Sequence, residues 1–154
     1  MKDTLIVYYS LFKNTENLAF EIADQTDGDI RELVPEKNYS FDYNTAAKEV
    51  RNQIATGFCP KLISGNEPID DYETIFIGTP NWFKTLAPPV MSFLKAHNFE
   101  GKTVIPFCTH GGGGFGQIGN DIAKECSKSR VLTGIAVNGI ASTEDVRKFL
   151  ETIR

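Results

Sequence analysis

The chain has 154 residues, of which 41% are hydrophobic, with a formal net charge of −4 and a pI near 5.2. This length can bury one core but is too short for two ordinary domains, so we expect a single domain over residues 1–154. The acidic balance argues against nucleic acid or anionic membrane as a partner, and no apolar run is long enough for a membrane span or a signal peptide. We therefore expect a cytoplasmic monomer.

Apolar segments of strand length alternate along the chain with segments of helical period. The predicted strands are residues 4–9, 30–34, 74–78, 103–109 and 131–137. The predicted helices are residues 15–27, 45–55, one that opens at Pro88, 117–127, and one that follows Ser142. Residues 35–42 are predicted to form a loop. This alternation predicts an open parallel sheet of five strands with helices on both faces, which is a doubly wound α/β fold.

Several residues carry local predictions. Gly28 is expected to end the first helix, and Ser142 to cap the last, with Asp145 three residues later as in a capping box. Pro106 lies inside a strand that this fold makes central, where it removes a hydrogen-bond donor, so we expect a local irregularity there. His97 is expected to lie at the end of the third helix, either as a charge or by packing.

The three cysteines, Cys59, Cys108 and Cys126, contain no C-x-x-C pair, which suggests neither a disulfide framework nor a zinc site. Cys126 is in helical register with Ile118 and Ile122 and is predicted to be a core thiol. Cys108 ends a strand, where packing is the expected role.

In a doubly wound sheet, ligands bind beyond the carboxyl ends of the strands, near the switch in strand order. The loops after the first, third and fourth strands are therefore the informative ones. They read SLFKNT (10–15), TPNWFKTLAPP (79–89) and THGGGGFG (109–116).

Each loop has two interpretations. The first offers hydroxyls and backbone donors for an anion before a helix, or else Asn14 or Thr15 only caps that helix. In the second loop, Trp82 and Phe83 could stack on a planar ligand or tuck into the core. The four glycines of the third loop allow close approach of a ligand, or form a flexible connector.

The sequence gives little support to two common nucleotide-binding motifs. Gly111, Gly113 and Gly116 spell G-x-G-x-x-G, but after the fourth strand, and the next strand ends without the acid that would hold a ribose. No Walker sequence occurs, which argues against nucleoside triphosphate chemistry.

Together, the three loops resemble those of the flavodoxins, in particular the short-chain type. The first loop of that family reads hydroxyl, any residue, hydroxyl, Gly, any residue, Thr, so Phe12 and Lys13 depart from it. The segment IFIGTPNWFKTLAPPVMSFL (75–94) is similar to the second loop of the family with its flavin-stacking tryptophan, here Trp82, and GKTVIPFCTHGGGGFG (101–116) to its third. The resemblance implies the flavodoxin-like strand order 2-1-3-4-5 and a short, uninterrupted fifth strand.

The resemblance also implies bound FMN and no catalytic or metal-binding residues. The residues that it places on the phosphate are Ser10, Leu11, Phe12, Lys13, Asn14 and Thr15. Those that it places against the flavin ring are Thr79, Pro80, Asn81, Trp82 and Phe83, with Thr109, His110, Gly111, Gly112 and Gly113 along its polar edge.

The implied function is transfer of one or two electrons between redox partner proteins. An FMN-dependent NAD(P)H:quinone reductase, or a related reductase, is the first alternative. A flavodoxin-shaped binding module without redox activity is the second, because Phe12 and Lys13 alter the phosphate loop.

Overall fold

This computed structural model describes residues 3–153, which fold into short strands and helices. The strands are β1 Thr4–Tyr8, β2 Asp29–Glu32, β3 Val34–Pro35, β4 Leu62–Ser64, β5 Thr74–Pro80, β6 Thr103–His110, β7 Arg130–Val131 and β8 Ile135–Asn138. The helices are α1 Asn14–Thr26, α2 Tyr43–Thr56, α3 Pro88–Ala96, α4 Ile118–Glu125 and α5 Thr143–Thr152.

The main sheet is parallel and has the order β2-β1-β5-β6, with β7 and β8 both paired to the outer side of β6. This confirms the doubly wound fold and the order 2-1-3-4-5, with the fifth strand divided into two pieces.

Helices cover both faces of the sheet. Along β1, Leu5 and Val7 face the core beneath α2, α3 and α4, whereas Ile6 and Tyr8 face the core beneath α1 and α5. All four side chains are buried. A central strand covered on both faces must be apolar at every position, which is why this segment shows no alternation.

The fifth strand is interrupted beside Pro106, so the prediction of an irregularity is confirmed and that of one continuous strand over 131–137 is wrong. The Leu132 N–H donates to the Val104 carbonyl (2.9 Å). Residues two apart in a parallel strand direct their polar groups to the same side, so the missing donor of Pro106 also faces the outer strand. Between the paired positions Val104↔Val131 and Phe107↔Ile135, β6 advances three residues and the outer strand four, which forms a bulge.

A second, two-stranded antiparallel sheet, formed by β3 and β4, was not predicted. It takes Pro35 from the predicted loop and Val34 from the predicted second strand, which ends at Glu32 instead. Strands of two and three residues are too short for a periodic signal, and their pairing joins distant segments. Residues 36–42 lie outside helices and strands, as predicted.

The helix ends match the predictions in part. Ser142 Oγ accepts from the Asp145 N–H (3.1 Å), which confirms the predicted cap. Helix α1 ends differently from the prediction, because Asp27 and not Gly28 takes the left-handed conformation (φ 56°). Gly28 is required for space, since a Cβ there would lie 2.6 Å from Ile6 Cδ1.

The thiols and His97 lie where the sequence predicts. Cys108 and Cys126 are buried, and burial raises the pKa of each thiol to about 12. His97 packs on Phe93 at the end of α3, and burial, with a smaller contribution from Arg31, lowers its pKa.

None of the helices within residues 3–153 combines the length and the hydropathy needed to cross a bilayer.

Candidate functional site

Three loops meet at the carboxyl edge of the main sheet. The first loop, residues 10–13, joins β1 to α1; the second, residues 81–87, joins β5 to α3; the third, residues 111–117, joins β6 to α4. Because β1, β5 and β6 are adjacent, the structure brings these loops together as the sequence predicts.

The first turn of α1 is open for an acceptor. Lys13 holds the N-cap position without a side-chain cap bond, so neither Asn14 nor Thr15 caps the helix. Within residues 3–153, no acceptor pairs with the backbone N–H groups of Asn14, Thr15 and Glu16. Helix N-termini bind anions through such N–H groups, and this turn therefore suits a phosphate.

Lys13 adopts a left-handed conformation with φ 74°. This is the glycine position of the resemblance, so the loop does require positive φ there, and Lys13 is strained. Its side chain is 84% exposed, with Nζ 3.6 Å from a Glu16 carboxylate oxygen. The other residue that departs from the pattern, Phe12, is 57% exposed, and its ring lies 6.0 Å from that of Phe41.

A buried pair of hydroxyls joins the first turn of α1 to the end of β6. Thr15 Oγ1 lies 2.7 Å from Thr109 Oγ1, and both residues are almost fully buried. Whichever hydroxyl donates to the other, the remaining hydroxyl hydrogen has no acceptor among the described residues. A buried donor of this kind calls for an acceptor from a ligand or water.

Two carboxylates lie beside the first loop. The Tyr8 hydroxyl donates to Glu16 Oε1 (3.0 Å). Burial raises the pKa of Glu32, Glu16 raises it further, and Lys13 partly offsets the effect by lowering it. Lys13 therefore moderates an acidic neighbourhood at the loop.

The side chains of Thr79 and Asn81 form hydrogen bonds within the protein. Thr79 Oγ1 accepts from the Ala87 N–H (2.9 Å) and donates to the Pro80 carbonyl (2.8 Å). The Asn81 amide donates to the Gly114 carbonyl (2.8 Å), and its oxygen accepts from the Lys84 N–H (2.9 Å). Asn81 thus ties the second loop to the third.

Trp82 lies between two tyrosines and is half-buried. Its ring centroid is 5.5 Å from that of Tyr9 and 5.1 Å from that of Tyr39, both in edge-to-face geometry. The two tyrosines pack against the Trp82 ring, as expected of aromatic pairs. Trp82 therefore packs on the core as well as reaching the site.

Residues 82–85 form a tight turn with an exposed aromatic tip. Trp82 and Thr85 exchange backbone hydrogen bonds (3.0 and 3.2 Å), and Phe83 and Lys84 between them have φ of 55° and 69°. Side chains other than Asn, Asp and Gly rarely occupy this region, so the turn is strained. Arg51 lies 4.9 Å above the Phe83 ring.

The third loop leaves space above its backbone. Gly111, Gly112 and Gly113 are exposed, and a Cβ at Gly111 would meet nothing within 4 Å. Gly112 needs its glycine for φ 121°, and its N–H donates to His110 Nδ1 (3.0 Å). The fold itself gives no reason for a glycine at position 111. Close approach of a ligand to the backbone would give one.

Sequence reasoning missed the residues that support the site. These are Tyr9 and Tyr39 beside Trp82, Arg51 over Phe83, and Glu16 beside the first loop. No spacing links Tyr39 or Arg51 to the second loop, because their contacts arise only when α2 and its preceding segment pack on it.

The fold and these loops define a doubly wound α/β protein whose site lies at the carboxyl edge of the sheet, between adjacent strands. A family model described as Flavodoxin matches residues 3–153, so the chain belongs to the flavodoxin family.

Solved structures of flavoproteins resemble this chain in fold. A protein of Bacteroides uniformis, provisionally described as a flavoprotein, is 27% identical over 97% of this chain and 98% of its own, with a TM-score of 0.88. A flavoprotein of Lactobacillus acidophilus in complex with FMN is 23% identical over 97% and 99% of the two chains, with a TM-score of 0.76, which shows the shared fold. No curated protein sequence matches the chain.

Proposed function

We propose that this flavodoxin-family protein binds FMN and carries one or two electrons between redox partner proteins. The observation that carries the proposal is the meeting of an uncapped helix N-terminus, a buried hydroxyl with a free hydrogen, and an open glycine loop at one sheet edge. When bound, FMN would supply one- and two-electron chemistry that protein side chains lack.

The residues present fit the cofactor. The N–H groups of Asn14 and Thr15, with the Ser10 hydroxyl, would hold the phosphate, while Trp82 and the third loop would hold the ring. FMN is the cofactor in the complex of the Lactobacillus acidophilus relative.

The thiol beside the site does not suggest covalent chemistry. Cys108 is fully buried, its Sγ–H points to the Gly114 carbonyl (3.8 Å), and burial raises its pKa to about 12. Because the thiolate is the reactive form, this residue is inert at neutral pH. Its role is packing, which agrees with a carrier.

The first test is the visible spectrum of the purified protein, with the mass of the released chromophore. We expect a yellow protein that releases FMN. Failure of the apoprotein to bind added FMN would overturn the proposal and favour the binding module without redox activity.

A second test separates the phosphate from the ring. Lys13→Ala should weaken binding of FMN more than binding of riboflavin, which lacks the phosphate, because Lys13 is a cation at the N-cap of the open helix turn. The difference should shrink as salt rises. Equal losses for the two ligands would show that the backbone alone binds the phosphate.

A further inference from the structure

Three hydrogen bonds join the second loop to the third loop and to the start of α4. The Asn81 amide donates to a carbonyl of the third loop (2.8 Å), and the Gln117 N–H donates to the Lys84 carbonyl (2.6 Å). The Thr85 hydroxyl donates to a carboxylate oxygen of Asp121, in the first turn of α4. In the described part of the chain, no hydrogen bond or ion pair joins the first loop to the second. The second and third loops therefore form one unit, and the first loop is separate from it.

The backbones of the second and third loops approach closely at Gly116. A Cβ at this position would lie 2.7 Å from the Lys84 carbonyl oxygen and 3.0 Å from Lys84 Cα, and Gly116 also has φ 55°. Both facts require glycine. The absence of a side chain at Gly116 lets the next N–H, that of Gln117, reach the Lys84 carbonyl.

Lys84 is held on both sides of its strained backbone. Its N–H donates to the Asn81 side chain, and its carbonyl accepts from the Gln117 N–H. A residue in the left-handed region stays there only when the surrounding structure fixes it. The contacts between the two loops therefore maintain the strained turn that follows Trp82.

Asp121 is connected to Trp82 through Thr85. Thr85 and Asp121 are both half-buried, and a hydrogen bond to a carboxylate is stronger than one between neutral groups. The backbone of Thr85 exchanges two hydrogen bonds with that of Trp82 (3.0 and 3.2 Å). The position of Trp82 therefore depends on a carboxylate of α4, although neither Thr85 nor Asp121 is among the residues assigned to FMN.

We propose that Thr85 and Asp121 are positioning residues that hold the second and third loops together, with Trp82 in place, before any ligand binds. This role rests on the proposed function, because the ring that the two loops would receive is that of the flavin. A site formed in advance avoids the cost of ordering loops and side chains on binding. The first loop, which would bind the phosphate, does not depend on this contact.

The first test measures the affinity of the FMN-free full chain for FMN and for riboflavin by flavin fluorescence titration. Thr85→Val replaces the hydroxyl by a methyl group, and Thr85→Ser keeps a hydroxyl. We expect Thr85→Val to weaken binding of both ligands by about fivefold or more, and by the same factor, because only the ring half of the site is affected. Thr85→Ser should retain most of the affinity.

Two variants of α4 complete the affinity test. Asp121→Ala should cause a loss similar to that of Thr85→Val, and the double variant should lose no more than either single one, because both changes remove the same hydrogen bond. Asn120→Ala is the matched control. It removes a hydrogen bond to the Gln117 side chain (3.1 Å) in the same turn of α4, without a contact to the second loop, and should leave both affinities unchanged.

A second measurement needs no ligand. Backbone hydrogen exchange in the FMN-free protein reports how often each hydrogen bond opens. Thr85→Val should speed exchange of the Trp82 and Gln117 N–H groups, which donate to Thr85 and Lys84. Exchange of the Asn17 N–H, which donates to the Lys13 carbonyl behind the first loop, should be unchanged.

The outcomes distinguish this proposal from the proposed function. Faster exchange in Thr85→Val with unchanged affinities would overturn the positioning role, because the contact would then serve stability alone. A larger loss for FMN than for riboflavin would also overturn it, since the contact would act through the phosphate. In both cases the unmodified protein still binds FMN, and the proposed function stands. An unmodified protein that binds neither flavin overturns the proposed function and the positioning role together.

Discussion

Lys13 adopts φ 74° at a position where the flavodoxin pattern has glycine. Its strain is local, and an exposed ion pair with Glu16 contributes little in return. Lys13 therefore lowers the stability of the folded state at the loop proposed to bind the phosphate. Strain of this kind persists at functional sites when the surrounding structure fixes the backbone.

Lys13→Gly should raise the free energy of unfolding of the FMN-free protein by about 1 kcal/mol, because glycine tolerates positive φ. Urea denaturation measures the change. Lys13→Ala is the matched control: it removes the same charge but keeps a Cβ, and it should give no such gain. Equal stability of the two variants would contradict the strain argument.

Trp82 has two roles that a pair of variants can separate. Trp82→Ala should weaken FMN binding about tenfold or more, a loss of about 1.4 kcal/mol, because stacking area is lost. It should also lower stability, since the ring packs on Tyr9 and Tyr39. Flavin fluorescence titration measures the affinity.

Trp82→Phe is the control for Trp82→Ala. It keeps an aromatic ring and should retain more of both FMN affinity and stability. Unchanged FMN affinity together with unchanged flavin fluorescence in Trp82→Ala would show that Trp82 belongs to the core alone.

Among the elements, the divided fifth strand has the clearest physical cause. Pro106 offers no N–H to the outer strand, and Gly134 approaches it so closely that a Cβ would lie 1.8 Å from the Pro106 carbonyl oxygen. The bulge and the glycine therefore form one unit with the proline.

Gly134→Ala should destabilise the protein by about 2–3 kcal/mol or more, because the added methyl must displace the backbone of β6. Gly119→Ala is the control, since a Cβ there meets nothing within 4 Å and alanine favours the helix. Thermal unfolding should separate the two variants in opposite directions. A tolerated Gly134→Ala would show that the outer strand moves freely.

The sequence predicted the long elements well and the short ones poorly. The continuous apolar run of β1 and the helical stripe of Val146 and Leu150 on α5 are patterns that one segment determines alone. The pairing of β3 with β4 and the contacts of Tyr39 with Trp82 join distant segments, so no local pattern carries them. Positive φ at Phe83 and Lys84 was unexpected because neither residue type favours that conformation.

At the scale of the whole molecule, stability should respond to pH through Glu32. Burial, with a smaller effect of Glu16, raises its pKa in the folded state. The protonated form of Glu32 therefore contributes stability below the ordinary glutamate pKa, and this contribution is lost as pH rises through the folded pKa. Glu32→Gln should be more stable than the unmodified chain at neutral pH, with the advantage disappearing in acid.

Glu144 provides a control of opposite sign. A hydrogen bond from Arg147 lowers the pKa of this exposed carboxyl, so its contribution is present above the ordinary glutamate pKa and is lost as pH falls. Glu144→Gln should lower stability at neutral pH. Urea midpoints at neutral and acid pH would test both, and a pH-independent effect of Glu32→Gln would count against the assignment.

The interrupted outer strand also bears on how this protein behaves at high concentration. A parallel sheet ends in two edges whose unpaired backbone groups can recruit strands from other molecules. Here one edge is β2, whose sequence DIRE carries three charges in four residues, and the other is broken into pieces of two and four residues. Neither edge offers a long, flat, apolar strand with which another molecule could pair. Pro106 and Gly134, which distort the sheet, therefore also disfavour aggregation through the outer edge.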